Sequence, residues 1–434
     1  MSPAATVRRR LSQRGQALPF VLVWLAVLGA VFGMVWDSGR VVAQKQQLLN
    51  VADSAAYGAA VWQARALNFT AYTNRAAVAN EAAFAQAVSL SAWSSYMDRL
   101  LPRVNILTRW IPYLGAATTA LQRLWTTYDR GLQPTLAVVE GQLAVANARL
   151  VGAQQFMHLA ANANLRSVLN ETLAANSDPL DGTATRLTAA GEASVAQAIA
   201  RSAQFSMRYE GNARARQRDV VLASRDGFSR VRNRTLAPGP LSSVMRFEKR
   251  GGTELVGFDS WRGVDTHSLH LRSSLLLGSL RERVPLGWGA SETGRALGSQ
   301  RGLRRMYGNS YRVNPRASLL AEASMRRRSL YRGLPVLRDL SSAARQDDVA
   351  PRVVVRLTQT PTATGSGAAP ATSLYAQSVA EVRFIRPAPR LDGRRELPNL
   401  YSPYWHARLA PMSRTERIAG AAADGVLTPL TLLE

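Results

Sequence analysis

The chain of 434 residues contains no cysteine, and it has only four histidines. The absence of cysteine excludes disulfide bonds, thiolate nucleophiles and cysteine-ligated metals. The sequence also has no Gly-x-Ser-x-Gly segment and no phosphate-binding glycine loop. We therefore predict a protein that is not an enzyme. We assign no catalytic, cofactor-binding or metal-binding residues, no cofactor and no small-molecule substrate.

The histidines are too few and too scattered to indicate a metal centre. His267 and His270 are three residues apart, a spacing that brings both rings to one side only if the segment is helical. A zinc site needs three or four ligands, and only His158 and His406 remain. We interpret all four as core or surface residues, and the adjacent acids at 347–348 as a solvated turn.

Acidic residues are also scarce, with 29 against 54 basic ones and a net charge of +25. Residues 201–434 carry +19 of this charge, and arginines cluster at 214–218, 230–234 and 326–328. The first two clusters alternate with the period of a β-strand. A basic face either is simply solvated or attracts anionic polymers and DNA. We keep polymer or DNA binding as an alternative function and do not favour a nucleic-acid partner.

One long segment lacks charge altogether, from Arg14 to Asp37. Its apolar core, residues 17–36, has the length that a helix needs to cross about 30 Å of hydrocarbon. A signal peptide is the alternative, but its apolar region is shorter and ends at a small-residue cleavage site, which residues 33–36 do not provide. Four arginines within residues 1–14 predict a cytoplasmic N-terminus, with the rest of the chain outside.

Proline is absent from residues 41–101, which are rich in alanine, so the helix is predicted to continue out of the membrane until Pro102 and Pro112. Residues with alternating spacings of three and four form an alanine-rich seam: Leu48, Ala52, Ala55, Ala59, Trp62, Ala66 and Phe69. Such a seam contacts a partner helix or packs in the protein's own core. The sequence leaves both possibilities open.

Further helices are predicted to residue 176, with a turn between them at Gly131 and Pro134, and over 185–209. Residues 177–183 and 361–370 have loop composition. The aromatic run at 400–409 is interpreted as core rather than interface.

After residue 211 the composition favours strands, which are predicted at 253–261, 352–358 and 376–385. Gly251 and Gly252 are predicted to form a hairpin turn. A terminal helix is predicted over 413–423, where Ser413 and Glu416 form a capping box.

These patterns predict an α+β protein. Its N-terminal transmembrane helix continues into a long helical stalk, followed by a smaller mixed α/β or β-rich head. The predicted divisions are a cytoplasmic basic segment at 1–14, a transmembrane helix at 15–36, a helical extracytoplasmic region at 37–210 and a basic α+β head at 211–434.

Three N-terminal segments carry a resemblance to a known family. Arg14-Gly15-Gln16-Ala17-Leu18 opens the apolar span, Asp37-x-Gly39-Arg40 follows it, and residues 49–60 read LNVADSAAYGAA. In this order they resemble the amino-terminal region of the TadE/TadG-like proteins of Flp (tight adherence, type IVb) pilus assembly. The resemblance covers roughly residues 8–65. The resemblance implies a pilin-like or accessory protein that is anchored in a bacterial inner membrane and is periplasmic beyond its anchor. It also implies that the partners are other Tad/Flp pilus proteins, which together form a secretion and adhesion machine.

Two departures from related proteins refine this expectation. Prepilin peptidase substrates carry glutamate at the fifth mature position, which here, counted from Gln16, is Phe20. The resemblance therefore implies a TadG-like accessory role, and we predict a mature N-terminus at Met1 or Ser2. Several TadG-like proteins resemble von Willebrand factor A domains, but the nearest string to their metal motif, residues 339–343, lacks its second serine.

Overall fold

Helices and strands both contribute to the fold, and the mixed α+β architecture is confirmed. The computed structural model describes residues 17–177, 184–271, 282–295, 310–342, 344, 351–360, 373–423 and 425. The helices are α1 (Ala17–Thr108), α2 (Leu114–Ala163), α3 (Leu165–Asn176), α4 (Ala189–Phe205), α5 (Asn212–Ala223), α6 (Ser310–Val313), α7 (Pro315–Ala323) and α8 (Arg414–Ala423). The predicted loop at 361–370, most of the one at 177–183, and the acids at 347–348 lie outside the described residues.

The strands form three sheets. They are β1 (Ala184–Leu187), β2 (Ser206–Arg208), β3 (Arg232–Leu236), β4 (Met245–Val256), β5 (Ser260–Leu271), β6 (Val284–Gly294), β7 (Arg326–Arg328), β8 (Arg338–Leu340), β9 (Arg352–Thr360), β10 (Leu374–Phe384) and β11 (Trp405–Leu409). A five-stranded sheet has the order β3-β4-β5-β6-β7, a four-stranded sheet has the order β1-β9-β10-β11, and β2 pairs with β8. All neighbouring strands are antiparallel except β6 and β7.

The long first helix is confirmed. α1 runs without interruption from the apolar span into the folded part of the molecule, passes through Pro102 and ends at Thr108. The predicted turn at Gly131 and Pro134 is wrong, because α2 continues through both residues. α2 buries Leu136, Glu140 and other residues on one side, and this tertiary packing outweighs the low helix propensity of glycine and proline.

The glycine pair was also misinterpreted. Gly251 and Gly252 lie inside β4, opposite Asp265 and Val264 of β5, and the hairpin turn falls instead at Gly257, whose φ is 59°. A β-carbon at Gly251 would collide with the Asp265 side chain, so glycine at this position permits close strand pairing. The predicted strand at 253–261 therefore covers the end of β4 and the start of β5.

The other strand and helix predictions fare differently. The strands at 352–358 and 376–385 are confirmed as β9 and β10. The predicted helix at 185–209 is replaced by β1, α4 and β2, since its two ends pair with β9 and β8. The capping box of α8 is confirmed: the Ser413 backbone N–H donates to Glu416 Oε2 over 2.8 Å, and the Glu416 N–H donates to Ser413 Oγ over 3.2 Å.

α1 is the central element of the packing, because it contacts both large sheets. Its residues 48–64 lie in a core with α3, α4 and the four-stranded sheet, and its residues 78–88 lie in a second core with the five-stranded sheet. The first core joins Leu169 and Val195 to Val353 and Trp405, so it takes side chains from both sides of the boundary predicted near residue 210.

The alanine seam packs inside this first core. Ala52, Ala55 and Ala59 have no exposed surface and lie among the buried apolar residues of α3 and the four-stranded sheet. Of the two possibilities that the sequence left open, the structure therefore supports packing in the protein's own core.

Candidate functional site

The N-terminal part of α1 presents a long apolar surface that is exposed along its whole length. The most apolar stretch of this helix has no buried residue. The bulky side chains Phe20, Trp24 and Trp36 are each at least 60% exposed. By length and composition, this is the one helix among the described residues that is able to cross a membrane.

Past the span, α1 carries a buried polar cluster that fixes its position against α2 and the five-stranded sheet. Glu81 is fully buried and accepts three hydrogen bonds: from Trp261 Nε1 over 2.9 Å, from the Tyr331 hydroxyl over 2.8 Å and from Asn147 Nδ2 over 2.8 Å. Burial raises the pKa of the Glu81 carboxyl to about 7, against the effect of these donors. The cluster joins three separate parts of the chain through one side chain.

The arginines at 326–328 contact acids on the two long helices. Arg328 Nη2 lies 2.5 Å from Oε1 of the buried Glu140. Arg326 Nη2 lies 2.8 Å from Asp129 Oδ2 and 3.0 Å from Asp98 Oδ2. The contact with Arg326 helps to hold the pKa of Asp129 below its usual range, against the effect of burial. Burial, and then the neighbouring charge of Asp129, raise the pKa of Asp98 to about 6. This arginine cluster is therefore part of the junction between β7 and the two long helices, α1 and α2.

The other two arginine clusters divide between a helix and a strand. Arg214, Arg216 and Arg218 lie on α5, so their alternating spacing does not bring them to one face of a strand. Arg214 donates to the Leu334 carbonyl over 2.9 Å, and Arg232 Nη2 lies 2.7 Å from the buried Asp265. Several arginines of the predicted basic faces are thus used inside the fold.

The histidines are not grouped. His267 and His270 both lie on β5, and residues three apart on a strand point to opposite faces. His267 Nδ1 is 3.2 Å from the Tyr96 hydroxyl, whereas His270 Nε2 is 3.0 Å from Asn314 Oδ1. Within the described residues, no group of three or more His, Asp or Glu side chains is placed to hold a metal ion.

Two residues of the aromatic run at 400–409 lie in the core, as predicted for the run, whereas Leu409 at its end is 48% exposed. Leu400 has no exposed surface, and Trp405 is 3% exposed. Two asparagines of α1 hold this segment through its backbone. Asn68 accepts from the Trp405 N–H and donates to its carbonyl, and Asn74 donates to the Leu400 carbonyl over 2.7 Å.

The outer face of α2, residues 135–159, is a surface that the sequence interpretation missed. Val138, Val145, Phe156 and Leu159 are 43–74% exposed and point away from α1. The spacing of these residues is compatible with a heptad pattern, and this pattern was the sequence signal from which the apolar face could have been predicted. A shallow groove of about 450 Å³ on this face is lined by Val138, Gly141, Gln142, Val145, Ala146 and Arg149. The groove lining contains no acidic residue and includes Gly141, which suits it to a closely packed neighbour.

Comparison with known proteins identifies the N-terminal segment. Residues 15–64 match the model of the Tad family, described as Flp pilus-assembly TadE/G-like, over about a ninth of the chain. The resemblance is confirmed for this segment, which contains both the exposed apolar span and the buried alanines of α1. No curated protein and no solved structure matches the chain.

Proposed function

We propose that the chain is an inner-membrane-anchored accessory or assembly component of a Tad/Flp-type pilus, which acts through protein–protein contacts rather than catalysis. The observation that carries the proposal is the position of the exposed apolar span inside the TadE/G-like segment. Residues 17–36 are the anchor, residues 1–14 lie in the cytoplasm, and the folded remainder lies in the periplasm. The arginines that precede the span support this orientation.

The pilin-like alternative within the same family is less well supported. Pilin-type assembly uses a glutamate near the start of the span, and Phe20 occupies that position here. A lone carboxylate would be costly inside the bilayer without a partner, so its absence is compatible with a chain that stays in the membrane as an accessory protein.

The contact surface that we assign to the other pilus proteins is the outer face of α2. The alanine seam is occupied by the protein's own core, so it is not free for this purpose. The outer face of α2, by contrast, has large apolar side chains in contact with solvent. Exposed apolar patches that persist on a folded protein commonly mark interaction sites.

Pilus assembly in the native bacterial host tests this assignment. The double variant Val138→Asp/Phe156→Asp puts two charges on the outer face of α2, and we expect fewer pili and loss of co-purifying pilus proteins. Leu241→Asp is the matched control, because Leu241 is 52% exposed but lies far along the chain in the short 3-10 turn Gly239–Leu241. Normal pili in the double variant, at normal protein abundance, would contradict the assignment.

A further inference from the structure

Helices α1 and α2 form a hairpin, and its tip, residues 99–128, has polar side chains between the two helices. Asn105 Nδ2 donates to Gln122 Oε1 over 3.1 Å, and Asn105 Oδ1 accepts from the Thr118 and Thr119 hydroxyls over 3.0 and 3.1 Å. The Thr108 and Thr118 hydroxyls are 2.9 Å apart. In this part of the hairpin, hydrogen bonds between side chains therefore join the two helices.

The large apolar side chains at the same level point outward. Trp110 is 76% exposed and Tyr113 is 92% exposed. Both helices contribute to this apolar surface, which comprises Ile106, Leu107, Trp110, Tyr113, Leu121 and Leu124. A hairpin in water normally buries such residues between its helices and exposes the polar ones, because burial of apolar area is favourable. The hairpin tip shows the reverse arrangement, which suits an apolar solvent.

Charge at the hairpin tip has one sign. Residues 99–128 contain four arginines and no acidic residue, and Arg109 and Arg123 are exposed. Arginine beside tryptophan and tyrosine is typical of segments at the boundary between lipid headgroups and hydrocarbon. A groove on a protein partner would cover one side of the hairpin, whereas here exposed apolar side chains come from α1, from α2 and from the turn between them.

The hairpin tip is far from the N-terminal span along α1. The 72 residues between Trp36 and Thr108 correspond to roughly 108 Å of uninterrupted helix. We propose that the hairpin tip inserts into the surface of an anionic lipid bilayer, and that this bilayer is a different one from that crossed by residues 17–36. The chain would then connect two membranes, a role that goes beyond pilus assembly.

Vesicle capture by the full-length chain tests this inference. The chain is held by its span in nanodiscs, and protein-free vesicles of phosphatidylglycerol and phosphatidylethanolamine are floated through a density gradient. We expect wild-type nanodiscs to float with the vesicles. The double variant Trp110→Ser/Tyr113→Ser should reduce vesicle capture at least about tenfold, since each substitution removes a large apolar side chain from the lipid. The control is Tyr57→Ser/Tyr72→Ser, because these exposed tyrosines of α1 lie away from the tip.

A single introduced thiol measures insertion directly, because the chain has no cysteine. An environment-sensitive fluorophore on Tyr113→Cys should shift to the blue when vesicles are added, and the same fluorophore on Tyr72→Cys should not. Arg109→Gln should weaken capture by anionic vesicles about fivefold and leave the weaker binding to phosphatidylcholine vesicles unchanged.

Failure of wild-type capture, or equal capture by the tip variant, would overturn the inference. Absence of vesicle capture together with a protein that co-purifies with the wild type but not with the tip variant would also overturn it, and would identify a protein as the occupant. None of these three results bears on the outer face of α2, so the proposed pilus function is tested separately.

Discussion

A few buried polar side chains determine how α1 is held against the rest of the molecule. Glu81 is the acceptor for three donors from α2, β5 and the segment after β7, and Glu140 pairs with Arg328. These acids occur in a chain that has almost twice as many basic residues as acidic ones. Their burial shows that a scarce residue type is used for internal contacts.

Removal of Glu81 should be costly. Glu81→Ala leaves the donors of Trp261, Tyr331 and Asn147 buried without their common acceptor, and we expect a loss of about 3 kcal/mol in the free energy of unfolding. Glu171→Ala, at an exposed position on α3, should change it by less than about 0.5 kcal/mol. Denaturant unfolding of the detergent-solubilised chain measures both, and equal effects would contradict the assigned role of Glu81.

His267 should make stability depend on pH. Burial, and then the positive charge of Lys249, lower the pKa of His267 to about 4, whereas an unfolded histidine titrates near 6.5. Between these values the unfolded chain binds more protons than the folded one, so this contribution to stability is complete above about pH 6.5 and is lost as the pH falls towards 4.

The measurement is the thermal midpoint at pH 7.5 and at pH 5, for the wild type and for His267→Asn. The groups that face His267 are the Tyr96 hydroxyl, Lys249 and Asp265, whose pKa burial raises to about 6 and whose effect has the opposite sign. These groups remain in the variant. The wild type should therefore lose more stability on acidification than His267→Asn, and identical losses would refute the assignment.

Among the elements, α1 was the most predictable and the glycine-containing segments were the least. The absence of proline from residues 41–101 and the continuous apolar span are local properties, and a helix follows from them. Gly251 and Gly252 resemble a turn locally, yet they lie within β4 because strand pairing with β5 requires a small residue there. The conformation of this glycine pair therefore depends on its contact with β5, which local sequence patterns do not show.

The contact between α1 and β6 depends on another glycine. A β-carbon at Gly289 would collide with the backbone of Ala92 and Tyr96, so Gly289→Ala should cost at least about 2 kcal/mol through overpacking. Gly152→Ala is the matched control, because Gly152 lies in α2 with open space around it. Alanine there should stabilise the helix by about 0.5–1 kcal/mol. Unfolding curves of both variants decide whether this close approach exists.

At the scale of the whole molecule, the sequence predicted the order of anchor, helices and strands but not how they share a core. The change in composition near residue 211 is real, yet the first core joins residues on both sides of it. The outer face of α2 and the hairpin tip were missed for a related reason. Apolar spacing alone does not show which side of a helix faces its own protein.

A truncated chain tests the shared core. Residues 211–434 alone lose the apolar side chains of α1, α3 and α4 that cover the four-stranded sheet. We expect this fragment to lack a cooperative thermal transition, whereas residues 37–434 should show one. Calorimetry of both fragments measures this directly. A cooperative transition in the shorter fragment would show that the head folds independently.

The orientation of the chain across the membrane is tested most directly by thiol labelling, which the absence of cysteine makes specific. Two variants each introduce one thiol: Ser12→Cys before the span, and Tyr72→Cys at an exposed position of α1. A membrane-impermeant maleimide is added to intact spheroplasts of the native host and, separately, to lysed ones. We expect labelling of Tyr72→Cys in both samples and of Ser12→Cys only after lysis. Labelling of Ser12→Cys in intact spheroplasts, with Tyr72→Cys protected, would contradict it.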